Sequence, residues 1–204
     1  MPDELADLLM GATERAGLDE APGKSGASLE RVVIDGQAYV LKHLDLGRDW
    51  TMRASGCLRG APLVLWERGI LARLPGCLNQ PIVAAAAEPR GCALLMHDVG
   101  RWLVPATDAS IPLAQHTRFL RHMAELHAAF WACGDEFDVV PAMHRYLELS
   151  PWMAAAEAAA GSPHLVPRLV AKGWPLLAEV APAAAAVVTP LARDPGPLVE
   201  ALAA

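Results

Sequence analysis

The sequence predicts an α+β chain in which a small antiparallel sheet comes first and helices follow. Two observations place the sheet: two pairs of short apolar runs, each joined by a tight-turn sequence, lie before residue 100. A third places the helices: after Gly100 the apolar residues fall at helical spacing. A sheet-bearing segment followed by an all-helical one predicts two lobes, residues 1–97 and 98–204, with a hinge near residues 97–100.

The first pair of runs is Leu29 to Ile34 and Gln37 to Leu44, with Asp35-Gly36 between them. Asp-Gly suits a two-residue turn that needs positive φ at both positions. In the second run Ala38, Val40, Lys42 and Leu44 share one face, and Tyr39, Leu41 and His43 share the other. A helix is expected over Pro62 to Leu74, with proline in its first turn and Pro75-Gly76 ending it. The second pair, Ile82 to Ala87 and Cys92 to Met96, is bridged by Glu88-Pro89-Arg90-Gly91. Further helices are expected over Leu113 to Trp131, Ala142 to Ala160, Leu165 to Glu179 and Pro197 to Ala203, and the Ala-rich stretch Val180 to Leu191 also reads as helix.

Composition limits the function classes. With 53% hydrophobic and 20% charged residues the chain can bury a core and does not have a disordered composition. Its net charge of -6 is made of interspersed signs, so no basic stripe exists to displace counterions from a nucleic acid or an anionic membrane. No uncharged apolar run reaches 18 residues, and the acidic start lacks the order of a signal peptide. Four widely spaced cysteines, Cys57, Cys77, Cys92 and Cys133, read as free thiols in a reducing cytoplasm.

Lys42 is the most informative position. It is one of only three lysines and sits mid-strand beside Val40 and Leu44. Its head group must reach water, a carboxylate or a bound anion, because an unpaired buried ammonium is costly. On the helix expected at 62–74, Glu67 falls inside the apolar stripe of Leu63, Trp66, Ile70, Leu71 and Leu74, which makes it the natural partner of Lys42. The run from Gly23 to Ser28 is built of small residues that let backbone amides approach phosphate oxygens. His116, His122, His127 and Glu125 crowd one expected helix. His122 and His127 diverge by about 140° at 3.6 residues per turn, so no metal site is expected there. Trp131, Trp152 and Trp174 read as packing residues.

The order of these features resembles the small lobe of protein-kinase-like enzymes, and more closely the aminoglycoside phosphotransferase family and its choline-kinase-like relatives. The match rests on Ser25-Gly26-Ala27-Ser28-Leu29-Glu30-Arg31, Tyr39-Val40-Leu41-Lys42, Glu67, Leu94 to Gly100, and Leu126 to Trp131. The resemblance implies a protein-kinase-like fold with ATP as cofactor. Lys42 would hold the α- and β-phosphates, Glu67 would hold Lys42, and Val40 would pack on the adenine. The backbone of Met96, His97 and Asp98 would bond the adenine edge, and Gly26 to Ser28 would cover the phosphates. In the family a His-Gly-Asp loop supplies the base, and a downstream Asn and Asp hold Mg²⁺. No His-x-Asp occurs after Gly134, so the resemblance implies the nucleotide-holding half of a small-molecule O-phosphotransferase without its catalytic loop. Mg²⁺ is expected only in a complete enzyme. The alternative is a non-catalytic module that binds nucleotide or a partner protein, with an apolar face of the helical lobe forming a dimer or partner interface.

Overall fold

Asp35 and Gly36 take φ values of 50° and 75°, both positive as the Asp-Gly pair requires, and they join two strands in tight register. The protein is described by a computed structural model covering residues 4–18, 25–102, 110–131, 133 and 139–203. Its sheet is five-stranded and antiparallel, in the order β1-β2-β3-β5-β4, from β1 (Ala12–Gly17), β2 (Ser28–Ile34), β3 (Gln37–Asp45), β4 (Ile82–Glu88) and β5 (Gly91–His97). Both expected hairpins are present, the second closed by Pro89 and Arg90 with Glu88 opposite Gly91. Gly91 cannot be exchanged freely, because a Cβ there would lie 1.9 Å from the Leu44 carbonyl oxygen on β3.

Alternation along β3 divides the core into two layers. One face carries Val32, Ile34, Leu41, Ala93 and Leu95, covered by Leu5, Leu8 and Leu9 of α1 (Glu4–Met10). The other carries Leu44, Cys92 and Leu94, covered by Met52 of α2 (Trp50–Ser55) and Leu63 of α3 (Ala61–Glu67). Neither α1 nor β1 is expected from the sequence. β1 is an edge strand with five of its six residues exposed, so it has no apolar alternation to announce it.

The helix expected over 62–74 ends early. α3 stops at Glu67, Gly69 takes φ 67°, and residues Ile70–Arg73 form a separate 3-10 turn. The remaining helices are α4 (Leu113–Ala129), α5 (Ala142–Leu147), α6 (Pro151–Ala159), α7 (Leu165–Val180), α8 (Pro182–Leu191) and α9 (Gly196–Ala203). The single helix expected over 142–160 is two. Ser150 caps α6 through the Met153 amide at 3.2 Å, and Pro151 at the first position prevents continuation from α5. Trp131 and Trp152 are 78% and 60% exposed rather than packed, and no residue of α4 is buried. Among the described residues no helix is long and apolar enough to cross a membrane, and all four cysteines are free.

Three contacts fasten residues 48–55, around α2, to the later helical segments. Arg53 on α2 gives two hydrogen bonds to the Glu157 carboxylate on α6, at 2.8 and 2.6 Å, and a third to the Leu46 carbonyl at 2.9 Å. The His144 ring bonds the Ser55 carbonyl at 3.0 Å, and the His164 ring bonds the Arg48 carbonyl at 2.8 Å.

Candidate functional site

A cleft of about 490 Å³ opens between the Lys42 face of the sheet, α2, the start of α3 and the segment from Val139 to Arg145. Lys42 lies opposite Leu94 in the β3–β5 register and opposite Leu29 in β2–β3, so it stands among apolar neighbours at mid-sheet. Its ammonium makes no hydrogen bond or ion pair with any described residue. Ser25, Thr51, Ser55 and Cys57 add short polar side chains to the lining, and Arg145 adds a second cation from α5.

The one carboxylate among the described residues of this lining, Asp49, is 1% exposed and already engaged. It caps α2, accepting from the Thr51 amide at 2.9 Å, the Met52 amide at 3.2 Å and the Thr51 hydroxyl at 2.6 Å. Its negative charge therefore serves the helix start rather than Lys42. In the sheet behind Lys42, burial pushes the Cys92 thiol up to about 11, so this cysteine is a packing group and not a nucleophile.

The expected Lys42–Glu67 pair is absent. Glu67 is exposed and takes two hydrogen bonds from Arg59, at 2.7 and 2.6 Å. The physical reason is the early end of α3. The inward direction of Glu67 required a continuous helix through Leu71, and the left-handed Gly69 breaks the 3.6-residue period immediately after it.

Two other expected residues share the Lys42 face, although neither lines the cleft. Val40 and Met96 are cross-strand partners, and their pairing places both on the Lys42 face. His97 points to the opposite face, where its ring stacks on Tyr39 at 5.5 Å, and its amide donates to the Pro81 carbonyl at 2.9 Å. That amide is thus not free for a purine edge. The Asp98 carboxylate accepts from the Gly100 amide at 2.8 Å and shapes the turn that leaves the sheet. Ser28 sits in the β2–β3 ladder opposite His43. Gly26 does not reach the Lys42 cleft and lines a neighbouring cavity instead, while Gly23 and Lys24 lie outside the described residues.

Sequence reasoning missed Asp49, Thr51, Ser55 and Arg145. Asp49 followed by Thr51 and Met52 is a helix-cap pattern that could have marked α2. Arg145 enters from a segment about 100 residues away, which no local signal reveals. The expectation that no Asp-x-Gly triplet follows Gly134 is wrong, because Asp194-Pro195-Gly196 is one. Its carboxylate accepts from the Gly196 amide at 2.9 Å and starts α9, so it serves a local turn. Among the described residues no three His, Cys, Asp or Glu side chains gather as a metal ion would require. No protein-family model matches the chain, and comparison with curated proteins and with solved structures finds no significant match.

Proposed function

We propose that this chain holds the phosphates of a nucleotide, ATP as the expected ligand, against Lys42, in the manner of the small lobe of aminoglycoside-phosphotransferase-like kinases. The observation that carries the reading is the Lys42 ammonium, unpartnered among the described residues and set at mid-strand in the wall of an open cleft where Asp49, the one carboxylate among the described lining residues, is engaged elsewhere. Such a cation favours an anion, and Arg145, the other cation of the lining, is itself paired with Glu148 at 3.0 Å. One further point supports the kinase-like form of the proposal: Lys42 stands on the third strand, where protein kinases carry their phosphate-binding lysine. Gly26, which lines the neighbouring cavity, has no part in it. Val40 and Met96 supply apolar surface on the same face for a purine. Glu67 has no role in the proposal, and neither does the transfer step, for which residues 134–204 offer no His-x-Asp.

The test is stabilisation by ATP. At a concentration of about 100 Kd the ligand should raise the unfolding free energy by about 2.7 kcal/mol. Lys42→Met should abolish that gain, and Lys24→Met should weaken it less. A wild-type protein whose melting temperature ignores ATP would end the proposal.

A second reading, a module that binds a partner protein, is favoured by α4. Leu113, Leu120 and Met123 are 79%, 59% and 51% exposed there, and large apolar side chains in such a row usually mark an interface. It expects a dimer in sedimentation equilibrium that Met123→Glu dissociates, and a monomer up to millimolar concentration would count against self-association.

A further inference from the structure

Resting on the partner-binding reading, we propose that α4 pairs antiparallel with α4 of a second copy of this chain, through a heptad seam whose two kinds of layer, apolar and histidine, make the contact open in acid. Along α4, Leu113, His116, Leu120, Met123 and His127 follow the alternating three- and four-residue spacing of a coiled-coil seam. Phe130, which closes the helix, takes the next place. The first five of these residues are exposed. Gln115, His122 and Leu126, which are half-buried, lie about 120° away around the helix. One side of α4 therefore rests on the chain and another presents the seam.

Two features of the seam select a second copy as its occupant. Read from either end, the six positions run apolar, histidine, apolar, apolar, histidine, apolar. In an antiparallel pair Leu113 faces Phe130 of the second copy, His116 faces its His127, and Leu120 faces its Met123. Every layer then matches in polarity, as an isologous contact requires. A histidine set against an apolar side chain would leave its ring nitrogens unsatisfied, whereas two neutral rings can bond each other. The second feature is the flank of the seam, made of Thr117, Phe119, Ala124 and Leu126, none of them charged. Coiled coils choose between partners by charges at these places, and here nothing selects a different chain or repels an identical one. The antiparallel sense also sets the two helix dipoles head to tail.

The histidine layers make the pairing depend on protonation. Two neutral imidazoles share an N–H···N bond, but two imidazoliums are both donors of like charge. The other titratable and charged groups of α4, Arg118, Arg121, His122 and Glu125, lie off the seam. Of the groups packed against the helix, the Cys77 thiol donates to Glu125, and Arg73 lies over the Phe130 ring at 5.6 Å. No carboxylate among these offsets the charge of protonated layers, so the pair is favoured while the rings are neutral and is lost as falling pH charges them.

Sedimentation equilibrium of the full chain is the test. The dimer expected at about pH 8 should weaken by about tenfold or more at about pH 5.5, and a chain carrying both His116→Leu and His127→Leu should dimerise equally at the two. Leu120→Lys and Met123→Glu should each be monomeric alone, yet an equimolar mixture of the two should associate. Only antiparallel pairing sets position 120 of one chain against position 123 of the other. A dimer indifferent to pH, or a mixture as monomeric as its components, would overturn the proposal and leave the partner-binding reading standing. A wild-type chain that stays monomeric at about pH 8 up to millimolar concentration would overturn it as well, and would assign the seam to a different protein.

Discussion

Arg53→Ala should lower the unfolding free energy by about 3 kcal/mol, and Glu157→Gln by less, about 1–2 kcal/mol. The asymmetry follows from exposure. The Glu157 side chain is 5% exposed and the Arg53 side chain 28%, so a lone carboxylate is trapped without water whereas a lone guanidinium can still reach it. Urea unfolding of the two variants measures the difference directly, and equal losses would show that the pair is more hydrated than its geometry indicates. The pH dependence has a definite sign. The Arg53 hydrogen bonds hold the Glu157 pKa below its ordinary value of 4.5, against the opposing effect of burial. A depressed carboxylate contributes stability that is fully present above the unfolded value and is lost as pH falls through the folded one. The gap between wild type and Arg53→Ala should therefore be open at pH 7 and close progressively below about pH 4.5.

Leu41→Ala should cost about 3 kcal/mol, by a different mechanism. Leu41 has 0% exposure at the centre of the sheet face covered by α1, in contact with a cluster that includes Val32, Ala93 and Leu95. The cavity left there is walled by three strands and cannot collapse without shifting the β3 register. That register also sets Lys42, one residue along and on the other face. Calorimetric melting of Leu41→Ala gives the stability loss. A loss below about 1 kcal/mol would mean that α1 settles into the gap.

Both hairpins were legible in the sequence because their turns are chemical requirements: Asp35-Gly36 suits positive φ at both positions, and Pro89 and Gly91 suit the second and fourth positions of a type I turn. The face on which Lys42 stands followed from period-two alternation alone. What misled the sequence argument was continuity. Leu63, Trp66, Ile70 and Leu74 keep helical spacing across Gly69, so periodicity could not show that the helix breaks there and turns Glu67 toward Arg59. The Arg53–Glu157 pair was invisible for another reason. Its partners are 104 residues apart, and an ion pair leaves no trace in the pattern of either helix. The capping role of Asp49 is legible in the sequence, where an aspartate two residues before Thr51 suits a helix N-cap.

The two margins of the sheet are not alike in what they would permit. β1 presents Thr13, Glu14 and Arg15 along an exposed edge, and charge there discourages any further strand from docking. β4 forms the other margin with Ala84 to Ala87 in a row, small residues that carry no charge until Glu88. It touches both α1 and α3, which lie on opposite faces of the sheet. When those helices loosen, as on heating or during synthesis, the alanine margin is where foreign strands would be recruited. Aggregation of this protein should therefore begin from partial opening at β4 while the β1 side of the sheet is still intact.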